Sequence, residues 1–200
     1  MFNSGLTAYE LIELIENEAD ISEPIPRESY IQWLNAIEQV LYTELIKEQG
    51  KIELKSVSGN VVDVNTLKMP EGEDKLRFED IYAIYADDTQ LIKSTVASGV
   101  IFPDTYYKIC GNIGLNLAKE PKVLKIVYFV RPTLKTQHNI GSEYVRVPVE
   151  FIDLVKAKLR GEAYKVANED SLSAKWLSDY NVLLETFKMW LSEKQPAFGL

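Results

Sequence analysis

Apolar residues recur at three- and four-residue steps near both ends of this chain and at two-residue steps through its middle. The first spacing lines one face of a helix, and the second lines one face of a strand. The helical signal is strongest over residues 148–190. There Ile152, Val155, Leu159, Ala163 and Val166 predict one amphipathic helix. Leu172, Trp176, Tyr180, Leu184, Phe187 and Leu191 predict a second, after a polar break at 168–171. Pro148 suits the first helical turn, where its missing N–H would have no partner. Gly161 costs about 1 kcal/mol relative to Ala inside a helix, and it predicts a close approach by another backbone. A hairpin with two apolar faces must bury them against another part of the chain.

The N-terminal fifty residues supply a matching pair. Thr7 and Glu10 have the spacing of a capping box. Ala8, Leu11, Ile12, Ile15 and Ala19 form the apolar side of the helix that follows, and Glu10, Glu13, Glu16 and Glu18 carry its charge. Pro24 and Pro26 break it. A longer helix is predicted from about residue 26 to 49. Tyr30, Leu34, Ile37, Leu41 and Leu45 form its stripe, Trp33 and Val40 lie at its margin, and Gly50 sits at the cap position.

After Gly50 the period becomes two. Segments 51–57 and 61–64 flank Ser-Gly-Asn, a hairpin signal. Residues 77–86 read as a strand ending in an Asp87-Asp88 turn, and 90–94 as its return. Segments 96–102, 105–110 and 113–117 follow, and 123–132 is the most apolar and the expected centre. Residues 133–142 read as an exposed loop. These seven or eight strands, mostly joined by hairpin turns, predict an antiparallel sandwich or curled sheet. The fold class is therefore α+β: a helical pair over 1–50, an antiparallel β insertion over 51–147, and a helical hairpin over 148–200 that completes a small bundle. The tail after Glu193, broken at Pro196, reads as frayed.

Composition narrows the function. The 200 residues are 46% apolar, enough for a core. No run of 18 apolar residues suggests a membrane span. The opening residues lack a basic stretch followed by an apolar one, so no secretory signal is read and cytoplasmic synthesis is the default. The single cysteine, Cys110, excludes an intrachain disulfide framework. The net charge of −8 is uneven: residues 1–50 hold ten acids and two bases, whereas the rest is nearly balanced. With no basic block, direct nucleic-acid binding is disfavoured. The acidic helix reads as a solvated face, with a docking face for a basic partner as the sharper alternative.

Catalytic chemistry finds little footing. His138 is the only histidine and falls in the predicted exposed loop. Cys110 reads as a small buried hydrophobe at a strand end. Glu79 and Asp80 would point to opposite faces of a strand, and Asp87-Asp88 fits a turn. Gly111–Gly114 lacks a phosphate loop's lysine and following helix. No zinc or calcium ligand spacing is present, and no cofactor is implied. Tyr82, Tyr85, Tyr106, Tyr107, Tyr128 and Tyr144 crowd the β region, where core packing is the plain reading and a protein-binding face the alternative. Tyr106 and Tyr107 are adjacent, so one should face outward. Glu10, Glu13, Glu16, Tyr106 and Tyr107 are therefore the candidate interaction residues.

One further pattern concerns the order of the pieces. A helical pair leads into a tyrosine-rich β region. Tyr128 and Pro132 close its last strand, Pro148, Glu150 and Phe151 open the next helix, and Trp176-Leu177 with Tyr180 falls in the last one. This layout resembles the head–tail connector (adaptor) proteins of tailed bacteriophages, over about residues 7–194. The resemblance is one of layout and composition. It implies a non-enzymatic virion protein, made in the bacterial cytoplasm and assembled as a ring of about twelve copies between the portal protein and the tail or stopper proteins. It also implies DNA passage without specific binding, a monomer permitted when isolated, and no catalytic residues. A different phage neck or tail structural protein, and a small-ligand or carbohydrate-binding β-module, are the alternatives.

Overall fold

The computed structural model describes residues 1–19, 21, 24–55, 57, 59–95 and 102–194. The predicted strand over 96–102, except Phe102, and the predicted frayed tail beyond Lys194 lie outside the described residues, as does part of the proline break at Ser22 and Glu23. The fold is α+β, with four α-helices and two largely antiparallel sheets among the described residues. The chain divides into two compact units, Met1–Ile46 with Pro132–Leu200, and Lys47–Arg131.

The first unit is helical. α1 spans Ala8–Glu18, α2 Arg27–Val40, α3 Ile152–Val166 and α4 Asp170–Lys194. Thr7 caps α1 as its sequence predicts. The Glu10 N–H donates to Thr7 Oγ1 at 3.2 Å, and the Thr7 N–H donates to Glu10 Oε2 at 2.8 Å. α1 buries Ala8, Leu11, Ile12 and Ile15, and α2 buries Tyr30, Ile31, Leu34 and Ile37. α3 is the hub, packing against α1, α2 and α4.

α2 ends earlier than the pattern implies. From Leu41 to Ile46 the backbone takes π-helical geometry. That wider turn rotates the buried side, so Leu41, Tyr42 and Ile46 are buried while Leu45 is half-buried and Val40 exposed. Lys47 follows in the left-handed region, with φ of 47°. Gly50 is therefore no helix cap; it lies within a strand.

Gly161 does mark a close approach, made chiefly by a side chain and not by a backbone. A methyl group there would lie 2.7 Å from Leu177 Cδ2, and Ser173 Oγ donates to the Gly161 carbonyl at 2.9 Å. At the far end of α4, Phe151, Phe187 and Trp190 pack ring to ring, with Phe151 and Phe187 centroids 4.8 Å apart. Val166 and Leu172, both assigned to apolar stripes, are exposed. They flank the 167–169 turn that joins the two helices.

Segment 132–147 belongs with the helices, not with the β insertion. The Ala8 and Tyr9 N–H groups donate to the Glu143 and Ile140 carbonyls, and the Val145 N–H donates to Leu6. The chain from 133 to 142 is accordingly not wholly exposed: Lys135 and Ile140 are buried.

The second unit holds two four-stranded sheets. β1 (Gln49–Leu54), β8 (Leu124–Phe129), β3 (Ile81–Ala86) and β4 (Thr89–Gln90) form one, in that order. β2 (Val61–Val62), β7 (Asn112–Asn116), β6 (Thr105–Ile109) and β5 (Ile92–Lys93) form the other. β8 is central, as its apolar content predicts, and buries Leu124, Ile126 and Tyr128. Gly50 stands opposite Tyr128 across the ladder, and a methyl group there would lie 2.5 Å from the Tyr128 ring. The glycine lets the ring lie over the strand.

The Ser-Gly-Asn hairpin does not form. β1 and β2 enter different sheets, because β1 takes the apolar β8 as its partner. Among the described residues the hairpins are β3–β4 and β6–β7. The second turns through Cys110 and Gly111, whose φ values of 48° and 84° fit a tight two-residue turn. That turn exposes Cys110, correcting its assignment as a buried hydrophobe. β5 and β6 run parallel, which hairpin logic does not anticipate.

Candidate interaction surfaces

The acidic face of α1 is partly committed within the chain. Glu10 is exposed, and its carboxylate accepts from the Thr7 backbone and hydroxyl, which hold it below the usual carboxylate range. Glu16 is half-buried and pairs with Arg27 at 2.5 Å. Glu18 pairs with Arg160. Glu13 is exposed and makes no ion pair among the described residues. Of the three glutamates singled out, only Glu13 presents an uncommitted charge.

The tyrosine pair is corrected. Tyr106 is 2% exposed and packs with its ring centroid 6.0 Å from that of Phe78. Burial pushes its hydroxyl pKa up. Tyr107 is half-buried and lies over Gly114. Neighbouring strand residues do alternate, but the outward side chain covers a glycine. Tyr106 is a core residue. The exposed aromatic groups of this unit are Tyr82 and Phe102.

The carboxylates do not converge. Asp80 is buried and accepts from Arg131 Nε at 2.7 Å, whereas Glu79 is exposed beside Lys108. His138 is exposed, as predicted. Among the described residues no three His, Cys, Asp or Glu side chains gather as a metal site. No described helix is long and apolar enough to cross a membrane.

Two features escaped the pattern. The first is a polar clasp. Glu38 and Lys135 form an ion pair whose side chains are 1% and 0% exposed. The second Glu38 oxygen accepts the Arg146 N–H at 2.7 Å. Asn35 brackets Lys135, donating to its carbonyl and accepting its N–H, each at 2.8 Å. Burial raises the Glu38 pKa and lowers that of Lys135, each opposed by the partner's charge. Glu38 sits four residues after Leu34 and three before Leu41. A charge at that apolar-face spacing was the available clue.

The second feature is α4. Of its 25 residues only Ser173, Phe187 and Leu191 are buried, while Val182 and Met189 are more than 60% exposed. A groove of about 520 Å³ runs between α3 and α4, walled by Lys156, Arg160, Trp176 and Val182. Its two cations are already paired: Lys156 with Asp153, and Arg160 with Glu18, the arginine also stacking on Trp176, 4.6 Å from the ring centroid.

No family model matches the chain, and no curated protein matches it.

Proposed function

We propose that this chain is a non-enzymatic structural subunit of a tailed-phage virion, a head–tail connector that assembles as a ring between portal and tail proteins. The observation that carries this reading is the architecture: one helical unit made from both chain ends, interrupted in sequence by a β unit. That is the layout on which the family resemblance rests. A ring needs two unlike patches on each subunit, in a heterologous contact that closes. The exposed side of α1 around Glu13 and the apolar positions of α4, Val182 and Met189, are unlike in this sense.

The test is co-sedimentation of the chain with portal rings from the phage genome that carries it, followed by counting copies per ring by mass. Saturation near twelve copies supports the connector role. No association at high concentration overturns it. Val182→Asp should fold as the parent does and associate poorly, because residue 182 is largely outside the core.

A further inference from the structure

The open edges of the two sheets are unequal. β2, β4 and β5 each present two residues, a length that offers little to a partner strand. β1 presents six, and it pairs only with β8 among the described strands. The direction of its amides follows from one bond. The Val130 N–H donates to the Glu48 carbonyl, so residue 48 and its even-numbered successors turn their backbone groups toward β8. Gln49, Lys51 and Glu53 therefore turn theirs toward the open edge.

The side chains add a code. Lys51 and Glu53 are exposed on one face, 2.5 Å apart across their ion pair, and Ile52 between them is half-buried on the other. Opposite charges two residues apart make a strand charge-complementary to itself when it is reversed. We propose that β1 is a self-pairing edge. Two copies of this chain join antiparallel about a two-fold axis at Ile52, each Lys51 facing the partner's Glu53, to give one continuous eight-stranded sheet.

Charge selects this register over its neighbours. Centring the pair on Lys51 would set lysine against lysine, and centring it on Glu53 would set glutamate against glutamate. A parallel, in-register pair would do both. Like charges directly opposite one another destabilise a ladder, and opposite charges stabilise it. The Ile52 register also brings together the residues whose backbone groups point outward: Lys51 with the partner's Glu53, and Glu53 with the partner's Lys51. The contact is isologous, so it closes at two copies. It is independent of the connector reading, because it concerns the free chain.

The experiment is sedimentation equilibrium on the full chain and three variants. Wild type should sediment as a dimer. Lys51→Glu and Glu53→Lys should each weaken the dimer by about 30-fold, since each turns both cross-strand pairs into repulsions. The double variant carrying both changes should return to within about threefold of wild type. Lys51→Pro removes an outward N–H together with the ammonium and takes no ladder bond from β8, a change that edge strands tolerate; it should keep the wild-type circular dichroism and sediment as a monomer. A wild-type monomer up to about millimolar concentration overturns the proposal and leaves the edge to some other occupant. A dimer indifferent to both single reversals overturns it equally.

Discussion

Replacing Lys135 with methionine tests the clasp most directly. The substitution keeps an unbranched side chain, one atom shorter, and removes its ammonium. Glu38, 1% exposed, is then left as a buried carboxylate without its counter-charge. Removing one partner of a buried pair costs about 3–5 kcal/mol, a large share of the 5–15 kcal/mol that holds most domains folded. The Arg146 N–H still donates to Glu38, so part of the carboxylate's demand stays met. Urea unfolding at pH 7 should show a lower midpoint with an unchanged slope. The deficit should shrink on acidification. Without Lys135 the Glu38 pKa, already raised by burial, rises further. The folded state then binds a proton that the unfolded chain, with its carboxyl near 4.3, does not yet bind. Stability so gained is complete below the unfolded value and is lost as pH climbs through the folded one. Glu38→Gln combined with Lys135→Met removes both charges and keeps an acceptor for Arg146. That double variant should recover most of the loss, because buried pairs replaced by uncharged groups are often near neutral. A loss under about 1 kcal/mol for Lys135→Met, with no pH dependence, would refute the clasp as an energetic feature and place the ammonium in water.

Other perturbations probe other parts. Tyr106→Ala should lower stability by about 3–5 kcal/mol in chemical denaturation, as expected of a core aromatic side chain and not of a surface one. Gly161→Ala gains about 1 kcal/mol of helix propensity, but its methyl would press on Leu177 at 2.7 Å, an overpacking worth about 1–3 kcal/mol; a net fall in thermal midpoint is expected, and a rise would mean that Leu177 yields freely. Thr7→Ala removes the α1 cap and should cost about 1 kcal/mol by thermal unfolding. Because the Glu10 carboxylate is held below its ordinary pKa by Thr7, its contribution is present above the unfolded value and fades as pH falls through the folded one; the gap between wild type and Thr7→Ala should therefore narrow in acid.

The fold was most legible where its cause is local. The capping box at Thr7 and Glu10 needs only residues three apart, and it is present as the spacing implies. The apolar stripe of α1 and the centrality of β8 follow from burial alone. Pairing across distance was less legible. Ser-Gly-Asn is a good turn between two strands of moderate apolarity, but β1 gains more by lying on β8, far along the chain. The π turn at Leu41–Ile46 changes the helical period partway through a stripe, so a constant period misplaces Leu45 and Ile46. Glu38 breaks an apolar stripe, but its partner Lys135 lies 97 residues away in a segment that reads as an exposed loop, so the pair is seen only in the fold.

The candidate interaction residues show why charge on a helix face is a weak guide to partners. Four glutamates on α1 carry equal weight in a sequence, yet the fold gives them different work. Glu10 closes the helix end, Glu16 holds Arg27, and Glu18 meets an arginine that also stacks on Trp176. Only an acid without an intrachain partner offers its full charge to another molecule, which among the described residues leaves Glu13 of these four. The same reasoning moves attention from Tyr106 to β1. Tyr106 is already buried, packed beside Phe78, whereas β1 has six residues of ladder with nothing on their outer side among the described strands. Unmet backbone groups and an alternating Lys–Ile–Glu code are features of position and order, not of composition. An interaction surface in this protein is therefore better sought among groups that the fold leaves unspent than among residue types that interfaces generally favour.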